Sequence, residues 1–365
     1  MKLTGAQQSA IDYVERYAAK HKDDAQATIQ HLLRMSNITT DVFHKAVHIV
    51  KEHARIALHF HPDRPNSSMN CIAEALHQEG IYKSQFESLL SNGSVSAYPG
   101  GLRDRWEEQL FGGAYQIKGT TLNERAKYGA LNIMMHADGP APRFGSCYFL
   151  LKPEVSKRAT FTYLDSHQNP KEKGTIREFD MILAALFEEI FTRDYALGES
   201  NLMIGSLVQH LVQKIKLPFE DPAEKQVYRN LNHYIEAQVH GDLVLKEDVE
   251  ILVADPSFFG TKVGVTLTSL CAKYDIKLYY HSGFQLSVDQ VPSDFRGSEM
   301  PSLAKRIAKN QVIDAYLIGE AVMDLTRNPV TWSDRGTQKE IVQELKLLWH
   351  VLVKYGKPYR KRRSV

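Results

Sequence analysis

Cysteine is scarce in this chain of 365 residues: Cys71, Cys147 and Cys271 stand far apart and form no CxxC pair. That argues against a disulfide framework or a cysteine-rich zinc knuckle and points to a reducing compartment. No apolar run reaches the roughly 20 residues that a membrane-crossing helix needs. The opening residues, MKLTGAQQSAIDYVERYAAKHKDD, lack the apolar centre of a secretory leader, so any export is expected by a route that needs no cleaved signal. Neither charge sign prevails. The 45 Lys and Arg against 43 Asp and Glu leave a formal charge of +2, too even to imply nucleic-acid or anionic-membrane binding. The one basic concentration, 354–363, reads as a solvated tail. Two phosphate-binding signatures are also missing. There is no GxGxxG after a strand and no GxxxxGK[ST], so neither a Rossmann nor a P-loop nucleotide site is expected.

What is present is ordinary globular material, 43% hydrophobic and 24% charged, enough for a substantial core. Apolar residues at helical spacing (Ala6, Ala10, Ile11, Val14, Tyr17, Ala18) predict a helix over 5–20, with further helices over 25–35 and 40–54. The pattern changes at Ile56, where IALHFHPDRP is short, β-compatible and stopped by proline. Strands are predicted over 129–135, 145–152, 159–164, 234–240, 249–254 and 276–280. Helices are predicted over 102–110, 177–192, 200–215, 222–233, 301–310, 312–324 and 337–354. This is an α+β plan, a mixed or antiparallel sheet interrupted by helices. The divisions expected are a helical segment 1–55, a central unit 56–300 with a helical insertion at 175–233, and C-terminal helices with the basic tail at 301–365.

Three segments concentrate groups that carry chemistry. In HFHPDR, His59 and His61 share one strand face, and Pro62 turns Asp63 and Arg64 into a loop. An anion site is one reading, with Arg64 forked onto phosphate and His61 on a ribose or phosphate oxygen. A metal pair is a second, and histidines capping a strand edge a third. In GIYKSQFESLLSNGS, 80–94, the polar groups of Tyr82, Ser84, Gln85 and Ser91 crowd around Phe86. A flat amide-bearing ring suits such surroundings; a polar loop leading into a short helix is the plainer alternative. In HYIEAQVHG, 233–241, Glu236, Gln238 and His240 share one face of a strand whose other face is apolar. That arrangement suits a cleft wall or an exposed edge strand. Ser146 lacks a GxSxG elbow, and Cys147 reads as a core thiol. Asp255 and His281 read as turn and cap residues.

Taken together and in order, ALHFHPDRP, GIYKSQFES, SNGS, LFGGAY, YGALN, PRFGSCYF, EAQVHG and VADPSFFGT make the chain resemble the CteC-like family of bacterial mono-ADP-ribosyltransferase effectors, from about Leu58 to about Arg296. The resemblance implies an α+β fold with a bent, split mixed or antiparallel sheet of ADP-ribosyltransferase type and NAD in its cleft. It implies catalytic roles for Glu236 and Arg64. It implies dinucleotide contacts from His61, Arg64, Tyr82, Ser84, Gln85, Phe86, Ser91, Asn92, Gln238 and His240, and no metal. The family pattern places Glu or Gln two residues before the catalytic Glu, and Tyr234 stands there. That leaves Glu236 and Glu250 as candidates, with Glu236 favoured because Gln238 and His240 share its face. The acceptor implied is a protein hydroxyl, a threonine of ubiquitin in one relative. Localisation implied is the bacterial cytoplasm before delivery to a host cytosol.

Two readings from other classes stand beside this one. A metal-dependent hydrolase would draw on His59, His61, His136, His167, His240 and His281 with Asp63, Asp138 and Asp255. A non-catalytic adaptor would use the helices as a partner surface.

Overall fold

A computed structural model describes residues 2–66, 70–88, 97–193 and 195–359. Three helices open the chain: α1 (Gly5–Lys20), α2 (Lys22–Met35) and α3 (Thr40–His53). Each buries one apolar stripe, as the sequence spacing predicts. Thr4 caps α1, its hydroxyl accepting from the Gln7 backbone N–H. Four shorter helices follow at intervals: α4 (Ile72–Glu79), α5 (Gln85–Ser88), α6 (Leu102–Phe111) and, later, α9 (Leu245–Asp248). Longer ones are α7 (Asp180–Thr192), α8 (Ile204–Gln213) and α10 (Lys262–Tyr274). The chain closes on α11 (Met300–Ile307), α12 (Ala315–Arg327) and α13 (Gln338–Tyr355). None of the described helices is long and apolar enough to cross a membrane.

Between them run β1 (Ile56–Phe60), β2 (Lys127–Leu131), β3 (Cys147–Leu151), β4 (Ala159–Tyr163) and β5 (Lys173–Thr175). After the hairpin of β6 (Tyr195–Ala196) and β7 (Glu199–Ser200) come β8 (Ile235–Val239), β9 (Val249–Ala254) and β10 (Lys277–Tyr280). The small pair β11 (Gln285–Ser287) and β12 (Val312–Asp314) stands apart. Eight strands form one hydrogen-bonded sheet in the order β10-β9-β3-β1-β2-β8-β4-β5. Among the described strands only β9 and β10 pair in parallel. The fold is therefore α+β with a mixed, mostly antiparallel sheet. Its ladder is continuous across all eight strands.

Register assigns the two faces. Residues directly paired across antiparallel strands point the same way. Ala57 pairs with Ala130, Ala130 with Glu236, and His59 with Tyr148. Leu58, Phe60, Phe149, Phe161, Ile235, Ala237 and Val239 take the opposite face and join one core that runs from Ala25 to Val353. That core draws on helices from both ends of the chain, so the predicted helical termini pack on the same sheet as the central unit. The face of His59 and Glu236 carries smaller apolar clusters, one around Tyr148 and Ile251 and one around Ala130, Ala141 and Tyr234. A third, around Phe111 and Tyr115, packs over His240, and a cleft lies over Ala130 and Glu236.

The helix predicted over 222–233 does not form. Pro218 and Pro222 interrupt the approach. The Asp138 carboxylate then captures the backbone N–H groups of Tyr228 (3.0 Å) and Arg229 (2.8 Å), which a helix would have needed. Arg229 sits in the left-handed region at φ 60°. The predicted insertion is thus one helix, a hairpin, a second helix and an irregular strap. Helix α10 was not anticipated: its run of Val and Thr looks strand-like, but the Thr261 hydroxyl accepts from the Gly264 N–H and caps it.

Candidate functional site

Over the face carrying Glu236 lies a cavity of about 520 Å³, lined among others by His61, Arg64, Tyr82, Ser84, Gln85, Arg103, Trp106, Tyr128, Arg143, Asp165, His167, Glu236 and Lys346. Its volume falls in the roughly 300–1,000 Å³ range of small-molecule sites. Strands β1, β2 and β8 floor it. Helices α4 and α5 stand on one side, α12 and α13 on another.

Strand β1 delivers the first group. His59 is buried, and its ring bonds to the Gly139–Gly145 loop. Its Nδ1 lies 3.3 Å from the Gly145 carbonyl, and its Nε2 accepts from the Ala141 N–H at 3.3 Å. Burial pushes it down to about 3, so the ring is neutral. His61 stands 3.4 Å from the Ser146 hydroxyl and edge-on to Trp349. Burial, then the neighbouring Arg64, hold it well below the ordinary histidine range. It reaches the cavity as a neutral hydrogen-bonding group. Beyond Pro62, Asp63 tucks under α12 so closely that a Cβ on Gly319 would fall on its carboxyl. Burial pushes Asp63 up to about 7, against the pull of Arg64.

Several cations crowd this part of the cavity. Arg64 and Lys346 line it, and Arg143 bonds to the neutral Leu231 carbonyl and Asn232 side chain. Burial, then Arg143, Arg103, Arg64 and Arg296, push the Lys346 ammonium down to about 8. Half-buried cations crowded this way are costly unless an anion joins them.

Glu236 lines the same cavity and is 6% exposed. Burial first, then the charge of Asp165, push it up to about 8, against hydrogen bonds from Ser166 and Gln238. Gln238 Nε2 donates to Glu236 Oε1 at 3.0 Å. Gln238 itself is wholly buried, its amide oxygen accepting from Thr160 at 2.8 Å. Gln238 therefore holds Glu236 from behind and does not line the cavity. His240 corrects the sequence reading in the same way: it is fully buried, bonded to the Tyr115 hydroxyl (2.6 Å) and to Thr160 (3.1 Å), and burial holds it at about 3. Glu250 lies elsewhere, ion-paired to Arg55 at 2.8 Å. Of the two candidate carboxylates, Glu236 is the one in the cavity.

The middle segment divides. Tyr82 lines the cavity, its ring edge-on to Phe60 and Phe149. Ser84 caps α5, its hydroxyl accepting from the Glu87 N–H and donating to the Leu122 carbonyl. Gln85 is on the wall. Phe86 is not: it is buried beneath the Arg125 guanidinium, 4.4 Å away, so it is not the stacking ring expected. The aromatic wall is instead Tyr82, Trp106, Tyr128 and Phe144. Ser91 and Asn92 lie outside the described residues.

One family's sequence profile, described as "Protein of unknown function (DUF3626)", matches residues 55–355. The chain belongs to this family. No curated protein matches it. The DUF3626 match begins one residue before β1 and ends with α13, so it encloses every element that walls the cavity.

In this DUF3626 protein the histidines and carboxylates of the metal reading disperse. Among the described residues no three His, Cys, Asp or Glu side chains group as metal ligands. His136 stacks on Tyr228 at 3.8 Å and meets Glu199, Asp255 caps a turn through the Ser257 N–H, and the His281 ring accepts from Gly283 N–H. The residues that sequence reasoning missed are Lys346, Trp106, Arg103 and Asp165. Arg143 lies in PRFGSCYF, ahead of β3. Their pattern in the sequence is unremarkable, and only the fold brings them together.

Proposed function

We propose that this protein is a mono-ADP-ribosyltransferase, taking NAD as donor and a protein hydroxyl as acceptor, such as a threonine of ubiquitin. The observation that carries the reading is a single cavity lined by Arg64, Tyr82 and Glu236, groups that come from three distant stretches of chain. The sheet is α+β in setting, mixed and mostly antiparallel, but continuous across eight strands and not split as the resemblance implies; the sequence motifs are what support the transferase type. Its cations suit a pyrophosphate, its aromatic rings suit a nicotinamide or adenine, and its Glu236 carboxyl suits a ribose.

Cleaving the bond from nicotinamide to ribose builds positive charge on the sugar, as in glycosyl transfer. Arg64 and Lys346 hold the phosphates. Tyr82 packs on a flat ring. Glu236 bonds the ribose 2′-hydroxyl and, once ionised, stabilises the cation. A cationic nicotinamide ring nearby favours its ionised form, countering the burial that raises it. The test is Glu236→Gln, which retains the hydrogen-bonding shape and removes the charge. Calorimetry is expected to show NAD binding within a few-fold of wild type, while transfer of labelled ADP-ribose to lysate protein falls ~100-fold or more. Wild-type transfer in this variant would take Glu236 out of the reaction.

A further inference from the structure

One turn on the cavity wall joins Glu236 to a histidine that the reading above leaves without a role. Strand β4 ends at Tyr163, and Leu164 takes a left-handed conformation at φ 67°. The short turn Ser166–Gln168 follows, with Asp165 as its cap. Such backbone placement in a non-glycine residue is retained where surrounding contacts enforce it. Here the Thr162 hydroxyl donates to the Leu164 carbonyl at 2.9 Å, and the Leu164 N–H donates to the Tyr234 carbonyl at 3.1 Å.

The turn is tied to Glu236 from both sides. Ser166 hydrogen-bonds the Glu236 carboxyl, and the Asp165 charge acts on it. Asp165 has three further attachments. Its Oδ2 accepts from the Tyr234 hydroxyl at 2.8 Å, its Oδ1 accepts from the His167 backbone N–H at 3.1 Å, and the same Oδ1 lies 2.8 Å from His167 Nδ1. Burial works to raise Asp165, yet these bonds hold it below its ordinary range, so it stays ionised. His167 is half exposed and lines the cavity, with the Trp106 ring 6.0 Å away. An ionised carboxylate on Nδ1 fixes a proton there and leaves Nε2 as a proton acceptor, the orientation logic of a carboxylate–histidine pair.

We infer that His167 is the general base that takes the proton from the acceptor hydroxyl, and that Asp165 is the positioning residue that orients it. The inference rests on the transfer reading above. In the step, the bond between ribose C1′ and the nicotinamide nitrogen breaks, and nicotinamide leaves with the electron pair. The acceptor oxygen forms the new bond to C1′. Its proton passes to His167 Nε2, giving an imidazolium paired with Asp165, which later releases that proton to solvent. A hydroxyl needs such a base because it is a weak nucleophile until its proton leaves. Water entering an open site can pass its proton to bulk solvent, whereas a side-chain hydroxyl seated against this wall cannot.

The experiment compares two rates in the full chain. One is nicotinamide released from NAD without acceptor. The other is hydroxylamine-resistant label transferred from NAD to lysate protein, the stability expected of a hydroxyl linkage. His167→Ala is expected to lose transfer by ~100-fold or more, to lose release far less, and to recover part of its transfer on addition of imidazole. Asp165→Asn should also lose transfer, and should move the pH dependence of release to lower pH because Glu236 loses its negative neighbour. Transfer by His167→Ala at the wild-type rate would overturn the proposal, as would a parallel loss of both rates without imidazole rescue. A wild-type protein that released no nicotinamide and labelled no protein would remove the transfer reading itself.

Discussion

At the scale of single residues, two ionisations govern the site, and they work in opposite directions. Glu236 is pushed up to about 8, so its charge appears as pH rises through that value. Lys346 is pushed down to about 8, so its charge disappears over the same range. The kcat/KM for NAD should therefore follow a narrow bell centred near pH 8. Lys346→Arg, which stays charged, should remove the descending limb while leaving the ascending one; a bell unchanged in this variant would mean that Lys346 holds no phosphate. Glu236 also affects stability. Its carboxyl ordinarily titrates near 4.5. Below that value both folded and unfolded chains hold the proton. Between about 4.5 and 8 only the folded chain holds it, so the contribution of Glu236 to stability falls as pH rises across that window and is constant above it. Glu236→Gln abolishes this dependence. Thermal melts should find the variant close to wild type at pH 5 and more stable than wild type at pH 8.5, and equal differences at both values would contradict the buried, protonated carboxyl.

At the scale of elements, helix α12 presses its Gly319 against the Asp63 carboxyl, and the turn carrying Arg64 depends on that fit. Gly319→Ala should push the turn away, at a cost of about 1–3 kcal/mol for overpacking, and should weaken NAD binding as Arg64 moves. A melting curve and a binding isotherm check both effects. Elements are also where the sequence was most readable. Helices α1, α3 and α13 and strand β9 follow from periodicity and caps, because each depends on residues close together in the chain. What stayed hidden depends on distant partners. The strap over 222–233 is set by Asp138, 90 residues away from Tyr228. Strand β5 is only Lys173–Thr175 and exists through its pairing with β4. The same limit applies to the site. HFHPDR and EAQVHG announced Arg64 and Glu236, but alternation alone could not tell that Gln238 and His240, on the same strand face as Glu236, point into Thr160 and Tyr115 instead of the cavity.

At the scale of the whole molecule, the cavity is closed by the last helix. Helix α13 contributes Lys346 to the wall and packs Leu345, Leu348 and Trp349, all fully buried, into the core. The Trp349 indole N–H donates to the Pro142 carbonyl at 2.8 Å, tying the helix to the loop that carries Arg143. Losing one such buried Leu costs about 2–5 kcal/mol, against a total stability of about 5–15 kcal/mol. A chain ending at Gly336 should therefore fail to fold cooperatively, as circular dichroism melts would show. The central claim concerns one dinucleotide held in this cavity by Arg64, Lys346, Tyr82 and Glu236, and a crystal structure of the protein with a non-cleavable carbocyclic NAD analogue tests it most directly. The account predicts phosphates against Arg64 and Lys346, a ring on Tyr82 and the ribose hydroxyls at Glu236. An analogue bound away from these residues, or none bound at millimolar concentration, would contradict it.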